Sequence, residues 1–233
     1  MHYFFCSDIQ VPYSILSAEE AFHGVKVLRL KKGEKVLVTD GKGNVANGII
    51  VESSTKALKV EISDIKHVEK EREYFLQIAI APTKSIDRFE WFVEKSIEIG
   101  IDRIIPLYTT NAERKNIKID RLQKIGISAI KQSQKASLPE IEGIKRLNEF
   151  FEEEFTGKKL IAHCLDHRKE YVTNLLEKDE NVTILIGPEG DFTREELTGA
   201  LDRGYHSVSL GESRLRTETA GIVACHAVYM RNH

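Results

Sequence analysis

The stretch VTILIGPEGDFTREEL, Val182–Leu197, decides the fold. Its first five residues, Val182–Ile186, are apolar without alternation, which predicts a strand buried on both faces. Thr193 is followed three residues later by Glu196, and this capping-box pattern predicts that a helix begins there. The loop Ile186–Gly190 between them has two glycines around a proline, which permit a fixed turn and a close backbone approach. This order is typical of an α/β protein.

A second loop follows the next predicted strand. The sequence SLGESRLRTETAG, Ser209–Gly221, joins a strand at His206–Leu210 to a helix at Thr217–Met230. Thr217 is predicted to cap that helix, and Glu218 in its first turn complements the positive end of the helix dipole. Because ligands of parallel α/β sheets bind beyond the carboxyl ends of the strands, the two loops indicate a ligand site. On the pattern alone, two plain connections are an equally good interpretation.

Strands and helices alternate upstream of these loops as well. This alternation predicts a mostly parallel sheet. Pro106 predicts an edge or an end position for its strand. The remaining predicted strands are Tyr74–Ala81, Arg103–Tyr108 and Leu160–Cys164, and the predicted helices are Ser85–Ile99, Ile119–Gln134, Arg168–Glu177 and Thr193–Arg203.

The first seventy residues have a β pattern instead. Glycines in Asp40–Asn44 suit a hairpin turn, and short strands at this spacing predict a small barrel. The charged stretch His67–Glu73 lacks periodicity and predicts a boundary between a domain at 1–70 and a second at 71–233. The predicted strands are Lys35–Thr39, Asn47–Glu52 and Ala57–Ile62.

Composition excludes several classes of protein. With 233 residues, 41% hydrophobic and 30% charged, the chain fits one or two soluble globular domains. No apolar run approaches the ~20 residues that span a bilayer, and the start MHYFFCSDIQ does not resemble a signal peptide. Three scattered cysteines do not form a disulfide framework. A cytoplasmic location is therefore expected.

Charge and motifs narrow the chemistry. The net charge is −2 overall, but residues 84–146 carry +4, which suits either phosphate contacts or solvated helix faces. The chain lacks GxGxxG, GxxxxGK[ST] and GxSxG, which disfavours dinucleotide binding, P-loop chemistry and a hydrolase elbow. His163, Cys164 and His167 have ligand-like spacing, yet neighbours at a strand end point to opposite faces. A buried, hydrogen-bonded histidine is favoured there, and no metal is expected.

The two loops resemble those of a known family. LIGPEGDFTREEL (Leu185–Leu197) and SLGESRLRTETAG (Ser209–Gly221) closely resemble the SPOUT-class methyltransferases that modify N3 of a uridine in 16S ribosomal RNA. Lys84–Leu107 and Lys131–Ile141 resemble further segments of that family, and His23–Asn44 resembles its PUA-like barrel. The resemblance covers nearly the whole chain.

The resemblance implies a fold, a cofactor and a partner. It implies a PUA-like N-terminal β-barrel that contacts RNA, followed by an α/β domain with a C-terminal trefoil knot, an exception to the unknotted-chain rule. It also implies a homodimer that acts on 16S rRNA of the small ribosomal subunit. S-adenosylmethionine would bind in a pocket formed by Leu165, Ile186, Gly187, Glu189, Gly190, Leu210, Gly211, Leu215 and Arg216.

Basic and polar side chains are the candidates for RNA contacts. They are Lys26, Arg29, Lys31 and Lys32 near the barrel, with Arg88, Arg114, Lys131, Gln132, Lys135 and Arg214 further along the chain. Three positions depart from the family pattern: the first puts a carboxylate near the cofactor loop, and the other two concern the RNA contacts. Asp191 stands where the family most often has glycine, Lys135 replaces a frequent arginine, and Ser213-Arg214 replaces arginine followed by a branched aliphatic residue.

The chemistry expected of the site is methyl transfer to a deprotonated nitrogen. Arg216 or Arg214 would stabilise the developing uracil anion. Glu218 is the first candidate for the general base and Glu189 the second, although pairing with the helix dipole explains Glu218 equally well. Two alternatives are a SPOUT ribose 2′-O-methyltransferase acting on tRNA or rRNA, and a non-catalytic RNA-binding module.

Overall fold

The computed structural model describes residues 1–70 and 72–233. Glu71, within the stretch predicted as a domain boundary, lies outside the described residues. The described chain forms two compact units. The first holds the residues up to position 70 together with Ile127–Leu138, and the second holds 72–126 with 139–233. No sequence pattern predicts that 127–138 packs with the first unit. The division into domains at 1–70 and 71–233 stays a prediction.

The first unit is a five-stranded half-barrel. Its strands are β1 (His2–Phe5), β2 (Tyr13–Leu16), β3 (Lys35–Thr39), β4 (Asn44–Ser53) and β5 (Leu58–His67). They lie in the order β1-β3-β4-β5-β2, and the pairs are antiparallel except β1–β3. A short helix α1 (Ala18–Phe22) continues into a π-helical turn at His23–Val27.

Alternating burial fixes the register of this sheet. In β2 the side chains of Ser14 and Leu16 are buried, whereas those of Tyr13 and Ile15 are exposed, as period-two geometry requires. The inward residues pack around Phe4 in one apolar core. The predicted β-rich N-terminal fold and the hairpin between β3 and β4 are confirmed.

Residues 127–138 complete the first unit through backbone contacts with the β3–β4 turn. Gly43 N–H donates to the Ala136 carbonyl at 3.1 Å, and Leu138 N–H donates to the Gly41 carbonyl at 2.7 Å. The Thr39 hydroxyl donates to the same Ala136 carbonyl at 3.0 Å. These bonds satisfy turn groups that the hairpin itself leaves open.

The second unit is an eight-stranded parallel sheet with helices. Its strands are β6 (Leu76–Ile80), β7 (Arg103–Tyr108), β8 (Glu140–Ile141), β9 (Lys145–Arg146), β10 (Lys158–Ala162), β11 (Glu170–Tyr171), β12 (Val182–Ile186) and β13 (His206–Ser209). Its helices are α2 (Ile86–Ile99), α3 (Ile119–Ser133, which ends in the first unit), α4 (Leu147–Phe151), α5 (Val172–Leu175), α6 (Arg194–Leu201) and α7 (Thr217–Asn232).

The strand order places β12 and β6 at the centre. The order is β11-β13-β10-β12-β6-β7-β8, with β9 paired to β7. Every residue of β6 and β12 is buried, which is why both segments are apolar runs without alternation. The predicted mostly parallel α/β sheet is confirmed.

Most predicted elements are observed with small shifts, and three differ in a way that matters. β10 ends at Ala162, so His163 and Cys164 follow the strand instead of ending it. The predicted helix at Arg168–Glu177 is wrong, because that segment forms β11 and the four-residue α5. The N-cap of α7 is Arg216, and Thr217 is already helical.

The edge or end position predicted for Pro106 is wrong, because Pro106 is the fourth residue of β7, a six-residue strand that is paired on both sides. β8 pairs with Arg103 and Ile104, and β9 pairs with Leu107 and Tyr108. Pro106 lies between these two short ladders, where its missing N–H leaves no gap in the hydrogen bonding.

Within the described residues, no helix combines the length and the apolar character needed to cross a membrane.

Candidate active site

Three loops meet at the carboxyl edge of the parallel sheet. Ala162 at the end of β10 is in register with Ile186 at the end of β12 and with Val208 near the end of β13. The segments that follow these three strands therefore emerge side by side, where parallel α/β sheets bind ligands.

The three segments enclose a cavity of about 680 Å³. This volume is in the ~300–1,000 Å³ range of small-molecule and cofactor sites. Its walls combine apolar side chains, glycine backbone and a small number of charged groups. The lining residues are Ala162, His163, Cys164, Lys169, Ile186, Gly187, Pro188, Glu189, Asp191, Val208, Ser209, Leu210, Gly211, Glu212, Ser213, Arg214, Leu215, Arg216, Thr217 and Ala220.

The structure brings together most of the residues that the resemblance assigns to the cofactor pocket. Leu165 and Gly190 do not line the cavity. Leu165 packs against the neighbouring apolar cluster, and a Cβ at Gly190 would lie 3.1 Å from the Cβ of Asn111. The members of the expected set that do line the cavity are Ile186, Gly187, Glu189, Leu210, Gly211, Leu215 and Arg216.

The loop after β12 is closely packed. A Cβ at Gly187 would meet the Phe192 ring at 3.1 Å, so only glycine fits there without a shift. The Thr217 hydroxyl donates to the Gly187 carbonyl at 3.1 Å. The side-chain amide of Asn111 donates to the carbonyls of Gly190 and Asp191 at 3.1 and 3.0 Å. These bonds hold the loop in one conformation.

Asp191 explains why glycine is common at its position. Its φ is +62°, in the left-handed region that glycine enters freely and aspartate tolerates. Its carboxylate accepts the N–H of Cys164 at 2.6 Å and the N–H of Phe192, the next residue in the chain, at 2.8 Å. The side chain thereby joins the segments that follow β12 and β10.

The two candidate bases lie in different environments. Glu189 is exposed, lines the cavity and accepts the backbone N–H of Lys84 at 3.0 Å. Glu218 is buried, does not line the cavity, and lies 3.8 Å from the Nε of Arg88. The cavity thus offers the carboxylate of Glu189 to a ligand, while that of Glu218 faces an arginine.

Several candidate RNA contacts carry intramolecular bonds. Arg114 donates to the carbonyls of Thr83 and Lys84 at 3.1 and 2.7 Å. Lys131 pairs with the buried Glu20 at 2.5 Å. Both cations therefore have a structural role whether or not they contact RNA.

The other candidates are placed at the surface or half-buried. Arg88 is 45% exposed in its side chain while it pairs with Glu218, and Arg214 is exposed at the rim of the cavity. Lys135 is half-buried, and Gln132 is exposed. Four exposed cations lie within seven residues of the first unit: Lys26, Arg29, Lys31 and Lys32.

His163 is a buried histidine, as predicted, although it lies beyond the strand. Its Nε2 is 2.9 Å from the Ser207 hydroxyl. Burial, reinforced by the cation of Lys169, lowers the pKa of His163 to about 4. Among the described residues, no group of three or more His, Cys, Asp or Glu side chains is arranged to hold a metal ion.

One wall of the cavity, contributed by the segment after β10, is not predicted by the sequence patterns. Ala162, Cys164 and Lys169 line the cavity, and the Lys169 ammonium donates to the His163 carbonyl at 3.1 Å. The sequence pattern predicts Lys169 within a helix, and a residue of that helix is not expected in the cavity wall. The signal that points to this wall is the strand end at Ala162, because three parallel strands in register must end at one edge.

Two family models match the chain. The model described as an RNA methyltransferase domain matches residues 70–229, and the one described as an RNA methyltransferase PUA domain matches 16–63. The chain belongs to the RNA methyltransferase family. The family predicted from the two loops is thereby confirmed, and with it the PUA type of the N-terminal fold.

Curated and structural relatives of this RNA methyltransferase agree. The ribosomal RNA small subunit methyltransferase E of Mesomycoplasma hyopneumoniae is 30% identical over 95% of this chain and 96% of its own. A crystal structure from Porphyromonas gingivalis, described as a probable rRNA-methyltransferase, has a TM-score of 0.92 and 37% identity over 100% of this chain and 98% of that one. A methyltransferase of Legionella pneumophila, solved in complex with the bound cofactor SAM, has a TM-score of 0.89 and 28% identity over 99% and 97%.

Proposed function

We propose that this RNA methyltransferase transfers a methyl group from S-adenosylmethionine to N3 of a uridine in 16S rRNA. The observation that carries the proposal is the cavity at the carboxyl edge of the sheet, formed by the loops that resemble the uridine-modifying family. The relatives named as small-subunit rRNA methyltransferases support the choice of substrate.

The cavity fits the proposed cofactor. The missing Cβ of Gly211 faces open space and leaves room for a ligand to reach backbone groups, and Ile186, Leu210 and Leu215 provide apolar contact. When bound, S-adenosylmethionine supplies an electrophilic methyl group. The residues proposed to hold it are those of the expected set that line the cavity, namely Ile186, Gly187, Glu189, Leu210, Gly211, Leu215 and Arg216.

Arg216 and Glu189 are the groups we propose to act on the base. The uracil N3 becomes a good nucleophile only after it loses its proton, and the resulting charge spreads onto O2 and O4. The exposed guanidinium of Arg216 lines the cavity and would stabilise that charge. Glu189 would accept the proton, because its carboxylate lines the same cavity; Glu218 remains the second candidate.

RNA binding is proposed to use the exposed cations of both units. Lys26, Arg29, Lys31 and Lys32 are exposed in the first unit, and Arg214 is exposed beside the cavity. Contacts of this kind release counterions, so the affinity for RNA should fall steeply as salt rises. Arg88, Arg114, Lys131, Gln132 and Lys135 complete the proposed set, with Arg114 and Lys131 already bonded within the protein.

Four further features belong to the proposal: a C-terminal trefoil knot, a homodimer, a small ribosomal subunit as the substrate particle, and a cytoplasmic location. The 59% exposed Met230 and the half-buried Ile222 and Val223 of α7 support the dimer, because a second subunit would cover these apolar side chains. Light scattering of the purified protein would measure its mass, and a monomer at micromolar concentration would contradict the dimer.

The test of the proposed function is a product analysis. The protein and S-adenosylmethionine are incubated with unmodified small subunits and, separately, with naked 16S RNA, and the RNA is digested to nucleosides for mass spectrometry. N3-methyluridine is the expected product, and the two substrates show whether an assembled particle is required. A 2′-O-methylated nucleoside would favour the ribose methyltransferase instead. Absence of both cofactor binding and product would favour a non-catalytic RNA-binding module.

The two candidate bases are separated by matched substitutions. Glu189→Gln and Glu218→Gln remove one carboxylate each with little change in shape. We expect Glu189→Gln to lower turnover by about 10²–10⁴-fold, the usual contribution of a general base, with cofactor affinity retained. A larger loss of turnover in Glu218→Gln, with cofactor affinity retained, would reverse the assignment.

A further inference from the structure

The carboxylate of Asp191 connects two walls of the cavity that are 27 residues apart in sequence. It accepts the N–H of Cys164 at 2.6 Å and the N–H of Phe192 at 2.8 Å. Cys164 and Asp191 both line the cavity. Hydrogen bonds to an ionised acceptor are shorter and roughly twice as strong as neutral ones, so this bridge is a strong local restraint.

The Cys164 amide needs such a partner. The pairing of β10 with β12 ends at Ala162, and the wall of the cavity continues past the last ladder bond. A backbone donor beyond a ladder must find water, a ligand or a side chain. Here that side chain is Asp191 in the loop after β12. The segment after β10, which has no ladder bond at Cys164, is thereby attached to the closely packed loop after β12.

The backbone of Asp191 is itself held in place. Its N–H donates to the Pro188 carbonyl at 2.9 Å, and its carbonyl accepts from Asn111 at 3.0 Å. Its left-handed φ of +62° directs the side chain across the edge of the sheet. Because the backbone of Asp191 is fixed, its carboxylate restrains the position of the Cys164 amide that it binds.

We propose that Asp191 is a positioning residue that prearranges the wall at Cys164 for the adenosyl ligand. The inference deepens the proposed function and rests on it. Both carboxylate oxygens are occupied by backbone amides, so Asp191 acts through the shape of the pocket. A chain with glycine at this position keeps the loop conformation and lacks the bridge, because glycine enters the left-handed region without a side chain.

The experiment uses two substitutions and one control. Asp191→Gly preserves the backbone conformation and removes both acceptors, and Asp191→Asn keeps the shape but converts one acceptor into a donor. Asp166→Asn is the matched control, because Asp166 is an exposed carboxylate near Cys164 that does not line the cavity. Amide hydrogen exchange of the segment around Cys164 and calorimetric binding of S-adenosylhomocysteine are measured for each protein, with the thermal midpoint as a check on folding.

We expect the Cys164 amide to exchange about tenfold faster in Asp191→Gly, as loss of one charge-assisted hydrogen bond implies. The dissociation constant of S-adenosylhomocysteine should rise about tenfold, with a smaller rise in Asp191→Asn. In methyl transfer, KM for S-adenosylmethionine should rise while kcat stays near the wild-type value. Asp166→Asn should match the wild type in every measurement.

Two results would overturn the inference while leaving the proposed function intact. One is wild-type exchange at Cys164 in Asp191→Gly, and the other is faster exchange with unchanged affinity for S-adenosylhomocysteine. A wild-type protein that does not bind S-adenosylhomocysteine would contradict the proposed function and the inference together.

Discussion

The two loops that form most of the cavity differ in how they are held. The proline loop, Gly187–Asp191, begins with buried residues and is bonded to four other segments, through Asn111, Lys84, Cys164 and Thr217. The arginine loop, Gly211–Arg216, is largely exposed. The loop is held at its two ends. The Ser209 hydroxyl donates to the Gly211 carbonyl and accepts the Gly211 N–H, and the Thr217 hydroxyl donates to the Gly187 carbonyl.

This difference indicates that the two loops bind different ligands. A closely bonded loop presents its backbone in one arrangement and therefore suits the recognition of a cofactor whose shape is constant. An exposed loop with two guanidinium groups suits a large anionic substrate that arrives from solvent. Each of the following predictions tests one side of that comparison.

Within the arginine loop, the largest effect is expected at Arg216. Arg216→Ala should lower the rate of methyl transfer about 10²–10³-fold, the usual loss when one electrostatic contact to the reacting group is removed. Single-turnover transfer to unmodified small subunits measures it. Arg216→Lys should recover part of the rate, because the charge remains and the planar fork is lost.

Arg194→Ala is the control for this experiment. Arg194 is exposed at the start of α6 and does not line the cavity. Equal losses in Arg216→Ala and Arg194→Ala would contradict a specific role for the arginine loop.

The next effect concerns the buried histidine beside the proline loop. Because the pKa of His163 is lowered from 6.5 to about 4 in the folded protein, the folded state binds fewer protons than the unfolded state between those values. Stability should therefore fall as the pH drops from about 6.5 to about 4, by at most about 3 kcal/mol from this group. The groups that face it are Lys169, His167 and Asp191.

Urea unfolding at pH 7 and at pH 4.5 measures this contribution. Carboxylates elsewhere titrate in the same range, so the wild type is compared with His163→Gln, which has no ionisable group at this position. The decrease in unfolding free energy should be smaller in His163→Gln. An identical decrease in both proteins would show that the histidine does not contribute.

A pair of glycine substitutions compares the two loops directly. Gly187→Ala places a Cβ 3.1 Å from the Phe192 ring, and should destabilise the protein by about 1–3 kcal/mol through overpacking. Gly211→Ala meets nothing within 4 Å, but its φ of +143° is unfavourable for alanine. Because the arginine loop is exposed, its backbone should adjust to the new side chain, and Gly211→Ala should lower the stability less than Gly187→Ala.

Thermal unfolding and calorimetric binding of S-adenosylhomocysteine distinguish the two substitutions. Both should weaken binding, and only Gly187→Ala should clearly lower the thermal midpoint. A larger loss of stability in Gly211→Ala would mean that the arginine loop is the more tightly held of the two.

The smallest effect is expected at the rim. Arg214→Ala should weaken RNA binding by a few-fold and reduce the dependence of log affinity on log salt by about one, as loss of one phosphate contact implies. Binding of 16S RNA fragments at several salt concentrations provides the slope. An unchanged slope would exclude Arg214 from the phosphate contacts.

The predictions from sequence were accurate where a local pattern was sufficient. The capping box at Thr193 and Glu196 is present, with bonds of 3.2 and 2.9 Å, because it involves residues three apart. The apolar run of β12 is buried throughout. The helix predicted at Arg168–Glu177 was wrong, because the edge of the sheet recruits Glu170 and Tyr171 into a strand beside β13.

The sequence by itself determined the alternation of strands and helices, the two loops and the family. These depend on apolar periodicity, capping and residue types at fixed spacing, which neighbours along the chain establish. Only the tertiary structure decided that Lys169 joins the cavity, that Glu218 faces Arg88, and that Asp191 reaches the amide of Cys164. Those relations join residues far apart in sequence, and the packing of parallel strands and helices brings them together.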